Sequence, residues 1–292
     1  MTKIVSLINQ KGGVGKTTSS VNIAAALALD GYKTLLVDLD QQGNATQGLG
    51  ISKPEFTIGG AMLGQQEIMT YPVKENLDII PCDISFSVID RELEAEKYAN
   101  LRKEVGMHNI LKVIIGEIKG YDVIVMDCPP ALGFVTISAL IASNFVFIPM
   151  IAQLYSLQGV KEVLKSVDDV RTKYNPDLNL GGLFFTLFDK RTILARDLRD
   201  EVKELASGAL LNTLVRNNVA LEESPSMGVD IFEYKEDSNG AEDYRSLTEE
   251  IKLILFPDNI KAAKKSSKQP EDKTASIRKM FENYLEERED NE

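Results

Sequence analysis

The chain has 292 residues, a formal net charge of −11 at pH 7, 43% hydrophobic and 26% charged residues, which is ordinary for a globular protein with a large buried core. Two cysteines and one histidine exclude a disulfide scaffold and a zinc-ligand set. No apolar run approaches the roughly 18 residues that span a bilayer, and no basic-then-apolar leader opens the chain, so a cytosolic protein is expected.

In chain order, Lys3–Ile8 is short, apolar and β-branched and predicts a buried strand, and the Ala- and Leu-rich stretch Thr18–Leu29 predicts a helix. Further strand-like runs lie at 34–38, 77–81, 122–127, 145–150, 180–187 and 209–215. Helical patterns lie at 17–30, 86–105, 107–119, 134–143, 158–173, 194–206 and 241–256. Near-continuously apolar strands alternating with helices predict an α/β fold, a doubly wound, mainly parallel sheet with helices on both faces. Composition changes after Pro257. Residues 257–275, with the lysines of Lys261–Lys268, read as a flexible basic linker. Residues 276–292 read as a charged amphipathic helix or tail, its stripe formed by Ile277, Met280, Phe281, Tyr284 and Leu285.

Between the first strand and the first helix stands Gln-Lys-Gly-Gly-Val-Gly-Lys-Thr-Thr at 10–18. Strand, glycine loop and helix N-terminus make backbone N–H groups and the helix dipole converge on an anion. Gly12, Gly13 and Gly15 let the backbone wrap phosphate oxygens, with Val14 between them. Lys16 supplies a mobile charge for the outer phosphates, the Thr17 hydroxyl can sit on Mg²⁺, and Thr18 opens the helix. Lys11 lies too near the loop start to copy Lys16. It is either a solvated charge or a group aimed at another phosphate.

Two further segments fall in phase with this loop. Leu35-Leu-Val-Asp-Leu-Asp40 ends a strand with carboxylates at alternate positions, so Asp38 and Asp40 can take different tasks. Ile124-Val-Met-Asp127 carries an acid at a strand end, suited to holding Mg²⁺ through water, and Pro129 and Pro130 stiffen the turn that follows. Cys82 and Cys128 close apolar runs and read as buried thiols. His108 reads as a surface or helix-capping residue.

KGGVGKTT, LVDLDQQGNAT at 36–46 and VIVMDCPP at 123–130 together resemble the ParA/Soj family of partition ATPases, in the deviant Walker A class that includes MinD. The resemblance continues through LFFTLFDKRT at 183–192, VRNNVALEESPS at 215–226 and SNGAEDY at 238–244, and covers about residues 1–256 as one ATPase domain. It implies a P-loop NTPase fold, ATP and Mg²⁺ as ligands, and slow unaided hydrolysis. Lys11 is then the signature lysine, reaching the nucleotide of the opposing subunit in an ATP-bound homodimer. Lys16 and Asp40 are catalytic with it, Asp40 acting on the attacking water and Asp38 supporting it. Thr17, Asp40 and Asp127 would face the metal.

The resemblance also implies a ParB-like stimulatory partner, non-specific DNA binding and nucleoid association in the cytoplasm. The acidic balance opposes DNA binding on composition alone, so local cations decide it. One DNA-contacting arginine of the family maps onto Arg191 and a second onto Ala220, where the charge is missing; Arg216, Lys235 and Lys261–Lys268 lie nearby to compensate. Gln41 stands where related sequences have Pro, and Gln153 where many have Glu. The alternative is a MinD-like ATPase that positions itself on a membrane surface or a protein cluster. The acidic surroundings of the 277–285 stripe favour partner docking or packing against the body over lipid.

Overall fold

In the computed structural model the apolar runs form strands β1 (Lys3–Leu7), β2 (Thr34–Asp38), β3 (Tyr71–Lys74), β4 (Leu77–Ile80), β5 (Val123–Asp127), β6 (Phe145–Ile151), β7 (Asn179–Phe188) and β8 (Leu210–Arg216). They make one eight-stranded sheet in the order β3-β4-β2-β5-β1-β6-β7-β8. Every pairing is parallel except the antiparallel edge strand β3 on β4. The structure describes residues 1–94, 106–153, 156–206, 208–257, 277–280 and 283. Expectations for 95–105, for the linker at 258–275 and for Phe281, Tyr284 and Leu285 lie outside the described residues.

The helices are α1 (Lys16–Leu29), α2 (Asn44–Gly48), α3 (Ile58–Met62), α4 (Ile89–Glu94), α5 (Ile110–Glu117), α6 (Phe134–Ala142), α7 (Ser156–Lys173), α8 (Ile193–Leu205), α9 (Val219–Glu223), α10 (Ile231–Lys235) and α11 (Asn239–Leu255). The expected helix at 107–119 begins instead as a 3₁₀ turn at Met107–Asn109. There His108 packs half-buried against the rings of Phe134 at 5.3 Å and Tyr174 at 6.4 Å, rather than capping a helix.

Strand residues alternate between two cores. Leu35, Val37, Ile124 and Met126 face one side with α5 to α8; Val5, Leu7, Leu36, Val123 and Val125 face the other with α1 and α11. A sheet apolar on both faces explains why these strands lack the polar alternation of half-exposed ones. Asp38 and Asp127 end β2 and β5 in register with one another, and Leu7 ends β1 beside Asp127. The three central strands therefore stop at one level, and the loops that follow them build the site.

The short helical stretch at 277–280 returns to the body. Ile277 is 2% exposed and joins the core that lies under α7. Arg278 pairs with Asp168 of α7 at 2.9 Å, while Met280 is exposed. Among the described residues no helix is long and apolar enough to cross a membrane.

Candidate nucleotide and metal site

The loop between β1 and α1 turns on two residues in the left-handed region, Gly13 at φ 71° and Gly15 at φ 73°, which other L-residues rarely adopt. A Cβ added at Gly12 or Gly13 would meet no atom within 4 Å, so the concave side of the loop is open. Gly15 precedes α1 without any side-chain cap, leaving the first N–H groups of a 14-residue helix to face an anion. Val14, by contrast, is fully buried and plugs the loop into the core. Its carbonyl accepts from the Thr186 hydroxyl of β7 at 2.9 Å.

Lys16 is buried, and its Nζ donates to the carbonyl of Lys11 at 3.1 Å, across the loop. Burial lowers its pKa, and Asp127, Cys128 and Asp40 oppose that by attracting the charged form. Lys16, Asp40 and Asp127 are thus brought into one electrostatic cluster. Lys11 sits at the rim. Its N–H donates to Asn9 Oδ1 at 2.9 Å, and its ammonium donates to Gln153 Oε1 at 2.6 Å. Thr17 and Thr18 are half-buried at the start of α1.

Asp127 is fully buried. Its Oδ1 accepts from the Ser20 hydroxyl at 2.9 Å, while its Oδ2 has no hydrogen-bond partner. Burial raises its pKa first and the charge of Asp38 second, with the hydroxyls of Thr17 and Ser20 pulling the other way. Asp38, also fully buried, is raised chiefly by burial although it accepts three hydrogen bonds. These come from the N–H of Asp40 at 3.1 Å and from the N–H and hydroxyl of Thr46 at 2.9 and 2.7 Å. Asp38 thereby fixes the backbone on which Asp40 stands and the start of α2. Asp40 is 7% exposed, and its Oδ1 accepts from the N–H of Gln42 at 3.0 Å.

A buried carboxylate oxygen without a partner, beside a threonine hydroxyl and a second carboxylate, is a hard all-oxygen donor set that suits Mg²⁺. Among the described residues no three His, Cys, Asp or Glu side chains cluster tightly enough to hold a metal unaided. Phosphate oxygens and water would therefore supply the remaining ligands, which is the ordinary coordination of Mg²⁺ at nucleotide sites. Cys82 and Cys128 are buried free thiols whose pKa values burial pushes well up, so both are inert.

The cations expected to meet DNA do not form one patch. Arg191 stands beyond β7 with a side chain 91% exposed, pairing with Asp189 of its own turn at 2.7 Å. Arg216 ends β8 with its guanidinium taken by Asp243 and Glu242, both at 2.6 Å. With Lys190, Arg196 and Arg199 it lines a hollow of about 580 Å³. Lys235 lines a separate hollow with Ala220. Sequence reasoning missed Asn9, Ser20, Thr46 and Thr186. Ser20 had a local signal, standing one helical turn after Lys16; Asn9 and Thr186 act through contacts distant in the chain.

A glycine loop opening an uncapped helix, an inward lysine and strand-end carboxylates beside it define a P-loop nucleoside triphosphatase of the doubly wound α/β class. Residues 2–180 match the family described as AAA domain. The chain is 41% identical over 256 residues to the chromosome-partitioning ATPase Soj of Treponema pallidum, a match covering 86% of this chain and 97% of that protein. Among solved structures, cobyrinic acid a,c-diamide synthase of Mycobacterium smegmatis with bound ATP analog and magnesium superposes with TM-score 0.74 at 29% identity, covering 92% of this chain and 98% of that one. A putative plasmid partition protein of Borrelia burgdorferi bound to AMPPNP gives TM-score 0.71 at 25% identity, covering 89% and 100%. The chain belongs to the Soj/ParA family of partition ATPases.

Proposed function

We propose that this partition ATPase binds ATP with Mg²⁺ in the loop at 11–18 and works as an ATP-gated dimer. In this reading the N–H groups of residues 12–18 and the Lys16 ammonium hold the phosphates. Asp40 orients the attacking water and Asp38 holds Asp40 in place. Asp127, Thr17 and Asp40 would hold Mg²⁺, which supplies charge neutralisation at the phosphate oxygens. Lys11 reaches the triphosphate of a second copy, so that ATP joins two chains as a sandwich. That dimer binds DNA non-specifically, Arg191 contributing, and a ParB-like partner stimulates hydrolysis.

One observation carries the reading: the two lysines of the loop are disposed oppositely. Lys16 is buried and turned inward among Asp127, Cys128 and Asp40, whereas Lys11 stands at the rim with its ammonium engaged by a neutral amide. Phosphoryl transfer is mostly positioning and charge stabilisation, and a rim cation can serve a phosphate outside its own subunit. Ile277, seated in the core, and Arg278, paired with Asp168, favour a tail that packs on the body over one that anchors to lipid.

The test is sedimentation with Mg²⁺ and a slowly hydrolysed ATP analogue, beside ATPase assays with and without DNA and the candidate partner. ATP-dependent dimerisation of wild type that Lys11→Ala abolishes is the expected result. Dimerisation of Lys11→Ala at wild-type strength would defeat the trans contact. Hydrolysis indifferent to DNA and partner together would defeat the partition cycle.

A further inference from the structure

Lys11 is held at two points, through Asn9 to Pro149 within β6 and directly by Gln153, two residues beyond the end of that strand. Its N–H donates to Asn9 Oδ1 at 2.9 Å, and buried Asn9 donates from Nδ2 to the Pro149 carbonyl in β6 at 2.7 Å. Its ammonium donates to Gln153 Oε1 at 2.6 Å. Gln153 is itself held, its N–H donating to Ile151 and its carbonyl accepting from Ser156, the first residue of α7, each at 2.9 Å. The first turn of α7 backs this network, because a Cβ at Gly159 would lie 3.6 Å from Asn9 Oδ1. The Lys11 carbonyl is tied a third time, by Lys16 Nζ at 3.1 Å. The backbone of Lys11 is thus anchored, and only its ammonium can change partners without moving the loop.

We propose that Gln153 is a positioning residue that holsters Lys11 in cis and sets how readily its ammonium is surrendered to a nucleoside triphosphate carried by a second copy of this chain. This rests on the reading of Lys11 as the lysine that acts in trans. The chemistry of the acceptor decides the threshold. A neutral amide oxygen at an exposed position gives a hydrogen bond of modest net strength, which a multiply charged triphosphate outcompetes. A carboxylate at the same place would form a salt-sensitive ion pair and hold the ammonium back. Gln153 orients Lys11 before the encounter yet yields it.

The experiment titrates the ATP analogue with Mg²⁺ on the full chain and reads the dimerisation midpoint by sedimentation, at low and high salt, for wild type, Gln153→Ala, Gln153→Glu and Lys11→Ala. Removing one exposed hydrogen bond should lower the midpoint by about 2- to 10-fold in Gln153→Ala. Gln153→Glu should raise it at low salt, with the difference from wild type closing at high salt, a dependence that a packing role would not produce. ADP binding by the monomer should be unchanged in both. If Gln153→Ala folds poorly, Gln153→Met keeps the length and removes the acceptor. Loss of dimerisation in Lys11→Ala with unchanged midpoints in the Gln153 variants overturns the holster and leaves the trans contact standing. Wild-type dimerisation by Lys11→Ala overturns both.

Discussion

Asp127→Asn should stabilise the nucleotide-free protein at alkaline pH while abolishing its stabilisation by Mg²⁺ and ATP. Asp127 and Asp38 are both fully buried, end adjacent strands in register, and stand one beside the other as like charges. Burial first, and for Asp127 the charge of Asp38 second, raises both carboxyls above their ordinary range. An acid whose pKa is raised by folding binds its proton more tightly in the native state. The folded chain then carries more protons than the unfolded one between the ordinary and the raised pKa, and stability falls as pH climbs through that interval. The penalty is absent below the ordinary carboxylate range and complete above the raised value.

Asparagine is nearly isosteric, keeps an oxygen for the Ser20 hydroxyl and carries no charge. Neutralising a buried, poorly compensated ion should therefore gain about 1–3 kcal/mol at pH 8.5, or about 2–4 °C in melting temperature per kcal/mol for a chain of this size. At pH 5 the gain should shrink. Adding Mg²⁺ and ATP should invert the order, because wild type gains ligand-linked stability that the variant lacks. Thermal unfolding at both pH values, with and without Mg²⁺ and ATP, measures all of this. A variant less stable than wild type at pH 8.5 without nucleotide, or one equally stabilised by Mg²⁺ and ATP, would refute the reasoning.

Asp40→Ala should bind ATP and dimerise but fail to turn it over, and hydrolysis at the wild-type rate would remove its assigned role. Arg191→Ala should weaken low-salt DNA binding and reduce the dependence of log affinity on log salt by about 1, as expected for one lost phosphate contact; an unchanged slope in electrophoretic shifts would exclude the contact. Arg216→Ala should cost about 1–3 kcal/mol of stability, since it removes the guanidinium from the carboxylate of Asp243, whose side chain is 9% exposed and which keeps the backbone N–H of residue 216; chemical denaturation checks it. Ile277→Asp should unseat the 277–280 segment at a cost no larger than its docking, about 2–4 kcal/mol for one buried isoleucine and the Arg278 pair. Hydrogen exchange at 277–280 should rise while nucleotide binding holds, and a wider loss of protection would show that the segment is integral to the fold.

The central strands were legible because they are buried on both faces, which leaves runs such as Leu35-Leu-Val and Val123-Ile-Val-Met unbroken by polar residues. The strand Tyr71–Lys74 was not, because Pro72 and partial exposure suit only an edge, where β3 pairs with β4 alone. Helices of five residues show no period at all. Three of them start on side-chain caps, Thr57 accepting from Gly60, Asn218 from Ala220 and Asp230 from Phe232, while α2 has no such cap and is held through Thr46, which donates to Asp38. The candidate nucleotide site could be proposed from the sequence for the opposite reason. Its groups follow from spacing within a single turn or strand end, as Gly13, Gly15, Lys16, Asp40 and Asp127 do.

Whether a surface charge is available is a different kind of property, settled by partners far along the chain. Arg216 looked like a free cation until α11 brought Glu242 and Asp243 against it, 26 and 27 residues away. Lys11 meets Gln153 across 142 residues. In a chain of net charge −11, an arginine or lysine is more readily claimed by a nearby carboxylate than left for a phosphate. Cations that reach a polyanion must therefore stand where the fold brings no acid, or win the contest against a weak local partner. Arg191, with a side chain 91% exposed, is forked onto Asp189 of its own turn in a pair that water and salt reach, so a polyanion can displace it, whereas Arg216 is held by both Asp243 and Glu242 and is far less exposed. That contrast ranks Arg191 ahead of Arg216 as the candidate for the proposed DNA contact on grounds the bare sequence could not supply.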